Sequence, residues 1–239
     1  MDEQTLWFCP LPAKAISTAT SGSLAHTMGE RYATYQKGAR HFFSETLEGA
    51  SRHVLLVDVL EALAEGQHAF YETAAVLGEV YSVLADRRVG LYRWLFGRSN
   101  FEKVLLVATK ADTLPPNQRA ALSSLLEIMC ANTLTGAAYI AKPDAMHVAA
   151  IRATRDVTQQ MDGAEVKVVQ GLCSVLRKQV RVTMIDIPDT MPDAEDFKTR
   201  EGVRTPRFVP PKVEVGGRLG VPNARLGMVL DALIGDLLQ

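Results

Sequence analysis

Cysteine is scarce in this sequence, and none of the cysteines has a close neighbour with which it would form a motif. Cys9, Cys130 and Cys173 are far apart and form no CxxC pair. This spacing argues against a disulfide framework or a zinc site and fits a reducing compartment. The five histidines show neither HxxxH nor HExxH spacing, so we expect no metal site built from them.

Long apolar runs and an excess of charge are also missing. No apolar stretch reaches the roughly 18 residues that a membrane helix needs, and the amino terminus, Met1-Asp-Glu-Gln-Thr5, is acidic where a signal peptide would be basic. With 26 basic and 27 acidic residues, there is no electrostatic case for binding nucleic acid or an anionic membrane. At 239 residues and 47% hydrophobic, the composition predicts a cytoplasmic globular protein with one large or two small domains.

Three apolar, β-branched runs predict a parallel sheet that is buried on both faces. They are His53–Asp58, Val104–Ala108 and Met146–Ala153, and helical patterns separate them. Each run ends in polar residues, and open α/β sheets bind ligands at the carboxyl ends of their strands. The expected fold is therefore α/β, with a ligand site at this edge of the sheet.

Helical periodicity predicts further elements around the sheet. A helix is expected over residues 23–47, an amphipathic turn or short helix over 91–96, and an extended apolar piece over 5–12. Two more helices are expected after Gly66 and after Pro116, and Asn223 is expected to cap a last one. The predicted core residues of these last three helices are Phe70, Ala74, Leu77, Tyr81 and Leu84; Leu122, Leu125, Leu126 and Met129; and Leu226, Val229, Leu230, Leu233 and Leu237.

The segment Thr109-Lys110-Ala111-Asp112 follows the second run and has a spacing that suits guanine. A carboxylate at Asp112 would accept hydrogen bonds from N1–H and the exocyclic amino group, while the Lys110 stem would lie over the base. Adenine presents an acceptor at N1 and has no 2-amino donor, so Asp112 would be left unpaired against it. The alternative is that Asp112 or Thr113 simply caps the helix that follows.

The other two strand ends supply candidates for the rest of a nucleotide site. Asp58 lies where phosphate-loop hydrolases place the acid that holds Mg²⁺ through water, and Gly66 would let a backbone N–H approach a γ-phosphate. The Ala153 N–H would donate to guanine O6. The alternatives are a strand-end turn at Asp58, a plain turn glycine at Gly66, and the ordinary abundance of small residues at strand ends for Ala153.

The sequence changes character after Thr154. Residues 165–170 and 180–187 alternate as in a hairpin, and 187–222 is rich in proline and glycine, which predicts an extended excursion. We therefore expect a nucleotide-binding domain formed by 1–154 and 223–239, with a β-rich or extended insertion at 155–222.

Several of these segments together resemble the YcjX-like family. The resemblance rests on Leu56–Gly66, Leu91–Phe96 and Val107–Asp112, together with Phe8–Pro12 and the stretch from Arg225 to Asp236. Members of this family are bacterial P-loop proteins, GTPase-like and linked to stress response. The resemblance implies a P-loop NTPase-like sheet, GTP or GDP with Mg²⁺ as ligands, and base recognition by Thr109, Lys110, Asp112 and Ala153.

The sequence departs from this family at the phosphate-binding loop. The family carries a loop that ends in Gly-Lys-Ser/Thr, on its first strand and helix, whereas none of the 17 glycines here is followed by lysine. That loop holds most of the phosphate charge, so we expect weak or absent nucleotide binding and no hydrolysis by this chain alone. It resembles a carboxyl-terminal part of the family's domain.

The strand that bears this loop lies between the counterparts of 53–58 and 101–108 in GTPase-type sheets. Without it we expect one of three outcomes: direct pairing of these strands, oligomerisation through the exposed edge, or poor solubility. If the two strands did not pair, residues 5–9 would be the first segment expected to fill the gap. A missing amino-terminal segment or a second copy is the expected partner. The rival function is a non-catalytic interaction module that uses helix 23–47 and segment 187–222.

Overall fold

The computed structural model describes residues 9, 11–48, 50–89, 102–134, 143–199, 205–212 and 220–238. The chain divides into two compact units, residues 1–51 and 52–239. None of the helices in the described part is long and apolar enough to cross a membrane. The turn or short helix predicted over 91–96 lies outside the described residues, as do all but three residues of the extended piece predicted over 5–12.

The first unit contains two helices, α1 (Ala13–Ser17) and α2 (Leu24–Glu48). Helix α2 confirms the helix predicted over 23–47. The Ser23 hydroxyl accepts the His26 N–H at 3.2 Å, which is how a serine caps an amino-terminal turn. Helix α1 was not predicted, because it is too short to show a periodic pattern.

The second unit is built on a parallel sheet of three strands in the order β1-β2-β3. These are β1 (Arg52–Val57), β2 (Lys103–Ala108) and β3 (Asp144–His147). Helices flank them, so the α/β fold class is confirmed, and the architecture is consistent with a P-loop-like sheet. All residues of β2 from Val104 onward are buried, as a central parallel strand requires.

Of the three outcomes expected without a phosphate-loop strand, direct pairing of the two strands is the one observed. Strands β1 and β2 pair from Arg52↔Lys103 to Val57↔Ala108. The backbone groups of both strands therefore bond to each other rather than to a vacant gap. Leu56 remains 67% exposed on β1, so part of the apolar surface is uncovered, as expected.

The third strand is shorter than the predicted run of 146–153. Regular pairing with β2 stops at His147, and Ala149 exchanges backbone hydrogen bonds with Ala224 at 3.0 and 2.8 Å. The Arg152 N–H then donates to the Pro222 carbonyl at 2.7 Å. The backbone after β3 thus turns to the carboxyl-terminal segment, and this competition ends the parallel strand.

Helices α3 (Val59–Glu65), α4 (Gln67–Val89) and α5 (Arg119–Ala131) follow the first two strands. The core faces predicted for α4 and α5 are confirmed, since every residue named for them is buried. On strand β2, Leu105 and Val107 pack in a hydrophobic cluster with Val229 of the last helix, α7 (Leu226–Ile234). Because side chains alternate along a strand, β2 contributes to two packed layers.

The predicted cap and core stripe of the last helix are wrong in part. Helix α7 begins after Arg225, whose φ is 65° and whose side chain makes no capping bond. Asn223 donates from its side chain to the Val221 carbonyl at 3.3 Å instead. Val229 is buried, whereas Leu230 of the same helix is exposed. Leu237 is exposed as well, and it lies beyond the α-helix, which ends at Ile234, in a separate 3₁₀ turn.

A second, antiparallel sheet lies in the region predicted to be β-rich. Its order is β4-β5-β6, with β4 (Thr154–Met161), β5 (Ala164–Leu172) and β6 (Gln179–Val182). The hairpin predicted from 165–170 and 180–187 corresponds to the pairing of β5 with β6, although β6 is shorter than predicted. Strand β4 pairs with β5 along its whole length, and this longer hairpin was not predicted.

The excursion predicted to be extended over 187–222 contains a helix, α6 (Ala194–Thr199). Asp193 starts it, because its carboxylate accepts the N–H groups of Glu195 and Asp196 at 2.8 and 2.9 Å. Phe197 then contacts Phe70 of α4, with ring centroids 5.8 Å apart. The prediction of a structureless segment here was wrong, because six residues give too little periodic signal.

Candidate functional site

The strand ends that were predicted to bind a ligand meet at one edge of the parallel sheet. Asp58 follows β1 and Thr109 follows β2, whose last pair is Val57↔Ala108. The Thr109 N–H donates to the Val57 carbonyl at 2.9 Å, and its hydroxyl donates to the same oxygen at 3.3 Å. Thr109 therefore holds the segment 109–113 against β1.

Lys110 turns this segment sharply, because its backbone is left-handed with φ 56° and ψ 27°. Such a conformation is uncommon for a residue with a side chain. A 3₁₀ turn, Ala111–Thr113, follows, and the Ala111 N–H donates to the Val148 carbonyl at 3.1 Å. The segment is thus bonded to β1 on one side and to the end of β3 on the other.

Asp112 is almost fully buried, with 4% of its surface exposed. Its Oδ2 accepts the Ala153 N–H at 2.7 Å, and its carbonyl accepts the Thr154 hydroxyl. The structure therefore brings together Asp112 and Ala153, the groups predicted to contact the N1–H and amino group of guanine and its O6, respectively. A buried carboxylate with a backbone donor beside it is a hydrogen-bonding group of fixed direction.

The alternative in which Asp112 or Thr113 caps the next helix does not fit the observed contacts. Helix α5 begins at Arg119 after Gln118, and no side-chain cap bond is present there. The Thr113 hydroxyl instead donates to the Lys110 carbonyl at 2.8 Å. Asp112 is oriented toward the start of β4 and not toward α5.

Asp58 and Lys110 form an ion pair across the ends of β1 and β2. Asp58 Oδ1 accepts the Glu61 N–H at 3.1 Å and caps helix α3, while its Oδ2 pairs with Lys110 Nζ. Lys110 Nζ also lies 3.6 Å from a Glu61 carboxylate oxygen. The hydrogen bond to Asp58, aided by both carboxylate charges, raises the pKa of Lys110 above its usual value despite partial burial.

Glu61 extends this cluster to a residue that the sequence did not suggest. Its Oε1 accepts from Arg207 Nη2 at 2.7 Å, so charges alternate from Asp58 through Lys110 and Glu61 to Arg207. Arg207 is 146 positions away from Glu61 in the sequence, and no local pattern marks it. The cluster places two cations and two anions at one end of the parallel sheet.

Gly66 lies at the opposite end of helix α3 from Asp58. Its φ of 99° ends the helix, and its N–H donates to the Leu63 carbonyl at 3.3 Å. The helix has seven residues and is therefore about 10 Å long. The structure does not bring Gly66 together with the other predicted site residues.

Arg119, Asp156 and Arg152 form a second ionic cluster that sequence reasoning missed. Arg119 pairs with Asp156 through oxygen–nitrogen distances of 2.5 and 3.3 Å, and Arg152 Nη2 lies 2.7 Å from the same carboxylate. Burial opposes the ionisation of Asp156, but the hydrogen bonds and charges of the two arginines hold the pKa of this carboxyl below its usual value. This cluster joins the start of α5 to β4.

Two carboxylates beside the predicted site, those of Asp58 and Glu61, are candidate donors for a divalent cation. Asp58 and Glu61 offer the hard carboxylate oxygens that Mg²⁺ prefers, and both contact Lys110 Nζ. Across the described residues, no group of three or more His, Cys, Asp or Glu side chains is arranged to hold a metal ion. The donor chemistry of Asp58 fits Mg²⁺ if phosphate and water supply the remaining ligands and Lys110 moves away.

The fold and these strand-end contacts define an α/β protein with a polar site at the carboxyl edge of a parallel sheet. The model of the YcjX-like family, DUF463, matches residues 1–238. The chain belongs to this family.

Two curated relatives carry the name Ras-like GTPase YcjX. The one from Shewanella oneidensis strain MR-1 is 27% identical over 222 residues, which cover 91% of this chain and 45% of that protein. The one from Escherichia coli strain K12 is 26% identical over 226 residues, covering 94% of this chain and 48% of that protein. The chain thus spans about half the length of the curated relatives that it matches.

Proposed function

We propose that this chain supplies the base-recognition part of a guanine-nucleotide site, with Asp112 as the residue that selects guanine. The observation that carries this proposal is the buried Asp112 carboxylate, whose Oδ2 lies 2.7 Å from the Ala153 nitrogen at the carboxyl edge of the sheet. The relatives named Ras-like GTPase support it, as does the general position of ligand sites in open α/β sheets.

Base recognition would exchange one internal hydrogen bond for several bonds to the ligand. Asp112 and the Ala153 N–H now satisfy each other. With guanine bound, the carboxylate would accept from N1–H and the amino group, and the Ala153 N–H would donate to O6. Adenine has an acceptor at N1 and no 2-amino group, so its binding would leave the buried carboxylate without donors at these two positions.

Lys110 and Thr109 have different parts in this proposal. Thr109 anchors the segment through the Val57 carbonyl, which fixes the distance between the base and β1. The Lys110 stem would cover the face of the base, and its ammonium would have to leave Asp58 to do so. That movement would free Asp58 to hold Mg²⁺ through water, and Mg²⁺ would neutralise phosphate charge. The contact of Gly66 with a γ-phosphate remains a prediction.

The test of this proposal is the Asp112→Asn variant. We expect it to weaken GDP binding by about 1–3 kcal/mol, because asparagine would place an amide donor where guanine also donates. Asparagine keeps an oxygen for the Ala153 N–H, so the melting temperature should change little. Isothermal titration of the wild type and the variant with Mg²⁺–GDP and Mg²⁺–ADP measures both affinity and base preference.

Asp144→Asn is the matched control for this substitution. Asp144 is exposed at the opposite end of β3, so its loss of charge should leave both titrations unchanged. If the wild type binds GDP and ADP equally, and Asp112→Asn changes neither affinity, then Asp112 does not read the base. A wild type that binds no nucleotide even when it is co-expressed with a segment that carries the phosphate loop would favour the rival function, an interaction module that uses Leu24–Glu48 and segment 187–222.

We expect the purified chain to hydrolyse neither GTP nor ATP above background. No glycine is followed by lysine, so the cradle of backbone N–H groups and the lysine that stabilise transferred phosphate are absent. Release of inorganic phosphate, measured with Mg²⁺–GTP and with Mg²⁺–ATP, checks this expectation. Turnover that disappears in Asp58→Ala would contradict it and would place a phosphate site beside Asp58.

Four further predictions accompany this proposal. They are a cytoplasmic location, a link to stress response, a domain formed by 1–154 and 223–239 with an insertion at 155–222, and a missing amino-terminal segment or a second copy as partner. Tight binding and hydrolysis would belong to a protein that also contains the phosphate loop. Co-expression with such a segment should raise both solubility and melting temperature.

A further inference from the structure

Arg119 contacts the backbone on both sides of Asp112. Its Nε donates to the Ala111 carbonyl at 3.2 Å and to the Leu114 carbonyl at 3.0 Å. The side chain is only 13% exposed, so water competes weakly for these bonds. A single guanidinium nitrogen therefore bridges the turn that carries Asp112.

The same guanidinium is fixed at its other end by Asp156. The two groups form a two-pronged contact, with Nη2 2.5 Å from Oδ1 and Nη1 3.3 Å from Oδ2. Asp156 lies on β4, two residues after Thr154, whose hydroxyl donates to the Asp112 carbonyl. Arg119 and Asp112 therefore both contact the start of β4, Arg119 through Asp156 and Asp112 through Thr154.

Arg152 completes the arrangement from the other side of Ala153. Its Nη2 lies 2.7 Å from Asp156 Oδ2, so the chain between Arg152 and Asp156 is closed by an ion pair. Both partners of Asp112, the Ala153 N–H and the Thr154 hydroxyl, lie inside this closed stretch. Arg119 therefore contacts the backbone on both sides of Asp112. Asp156 links Arg119 to Arg152, beside the two partners of Asp112.

We infer that Arg119 and Asp156 are positioning residues for Asp112, which set the distance and direction of its carboxylate relative to the Ala153 N–H. That distance determines whether one planar base can meet the acceptor and the donor together. The functional part of the inference rests on the guanine site proposed above. The structural part, that these two residues order the turn and the start of β4, does not require a nucleotide.

The chemistry of arginine explains why this position would tolerate no other cation. The planar guanidinium has five N–H donors in a rigid fork, whereas the lysine ammonium is a compact charge on a flexible stem. Lysine at 119 could keep the ionic attraction to Asp156, but it could not bond two carbonyls and two carboxylate oxygens at once. Arg119→Lys therefore keeps the positive charge and removes the forked hydrogen-bonding geometry of the guanidinium.

The experiment compares Arg119→Lys and Asp156→Asn with Arg155→Ala as the matched control. Arg155 precedes Asp156 on β4 and its side chain is exposed. Because neighbouring side chains on a strand point to opposite faces, Arg155 points away from the face that carries Asp156. Hydrogen exchange followed by mass spectrometry reports on peptides that cover 109–114 and 152–156. For each variant, titration with Mg²⁺–GDP and Mg²⁺–ADP measures the two affinities, and thermal melting measures stability.

We expect both test variants to speed exchange in these two peptides by about tenfold, the effect of losing one or two net hydrogen bonds. Exchange in peptides of α4 and the melting temperature should stay close to those of the wild type and the control. Affinity for GDP should fall by about tenfold or more while affinity for ADP changes little, because only the base-reading geometry is disturbed. A uniform rise of exchange over the whole unit would overturn the inference, because the residues would then be merely structural.

Unchanged exchange at 109–114 and 152–156 in both test variants would also overturn the inference. If the wild type binds GDP and ADP equally but the two peptides respond as expected, the positioning inference stands and the guanine proposal fails. If the wild type binds GDP with a guanine preference and neither test variant alters that preference, the guanine proposal stands and Arg119 does not position Asp112.

Discussion

Gly78→Ala will destabilise the protein by about 2–4 kcal/mol, although alanine is the better helix former. Gly78 lies in α4 where this helix approaches the end of α5. A Cβ at this position would lie 1.8 Å from Thr133 Oγ1 and 2.5 Å from Thr133 Cβ. Thr133 cannot easily move, because its hydroxyl donates to the Cys130 carbonyl at 2.8 Å and to the Ala74 carbonyl at 3.3 Å.

Urea unfolding of Gly78→Ala beside Gly227→Ala measures this effect against a matched control. Gly227 lies in helix α7, and a Cβ there would meet nothing within 4 Å. Alanine at 227 should therefore stabilise the protein by up to about 1 kcal/mol through helix propensity alone. Equal free energies of unfolding for the two variants would show that α4 and α5 do not approach each other as closely as at Gly78 and Thr133.

The parts of the fold that were predicted correctly are those whose sequence contains a continuous apolar run or apolar residues repeated at helical spacing. Val104–Ala108 is an unbroken apolar run, and it forms the buried central strand. The stripe from Phe70 to Leu84 repeats at helical spacing, and its residues are buried in α4. Burial of one face imposes such a pattern on the sequence, so the pattern can be used to predict the element.

The elements that were missed or misjudged have no such period. Strand β4 exposes most of its side chains, so its sequence does not alternate between apolar and polar residues. The turn that follows did contain a usable sequence signal, since the dipeptide Asp-Gly favours a two-residue hairpin turn. Both residues of this turn, Asp162 and Gly163, have positive φ, 51° and 81°. The early end of β3 had no local signal, because it depends on Ala224, far away in the sequence.

The residues of the candidate site also divide into those that could be predicted from the sequence and those that could not. Asp58, Lys110, Asp112 and Ala153 could be proposed from sequence because each lies at or within four residues of the end of an apolar run. The structure pairs Asp58 with Lys110 and Asp112 with Ala153. Arg119 could not be proposed, because its partner Asp156 is 37 positions away. Long-range ion pairs depend on the three-dimensional arrangement of the elements, and a single sequence contains no record of that arrangement.

Acidification from neutral pH to about pH 4 will remove about 3 kcal/mol of stability through one buried histidine, His147. His147 ends β3 and is 7% exposed. Its Nε2 lies 2.9 Å from Arg225 Nη1 and its Nδ1 lies 2.8 Å from Ser123 Oγ. Arginine can only donate, so Nε2 accepts, and Nδ1 carries the proton and donates to Ser123.

Protonation of His147 would place a second cation against Arg225. Burial, followed by the charges of Arg225 and Arg119, lowers the pKa of His147 from 6.5 to about 4 in the folded protein. The unfolded chain therefore binds a proton between pH 6.5 and 4 while the folded protein does not. The contribution of His147 is complete above pH 6.5 and is lost as the pH falls toward 4, since one pKa unit corresponds to about 1.4 kcal/mol.

Urea unfolding of the wild type and of His147→Gln, from pH 7.5 down to pH 4, isolates this contribution from that of the carboxyl groups, which titrate in both proteins. We expect the variant to be the less stable protein at pH 7.5, because it loses the fitted ring and its two bonds. The difference should shrink by about 3 kcal/mol as the pH approaches 4. His68→Gln, on an exposed histidine of α4, should instead parallel the wild type within about 0.5 kcal/mol. A constant difference between His147→Gln and the wild type across the range would show that His147 is protonated in the folded protein as readily as in the unfolded chain.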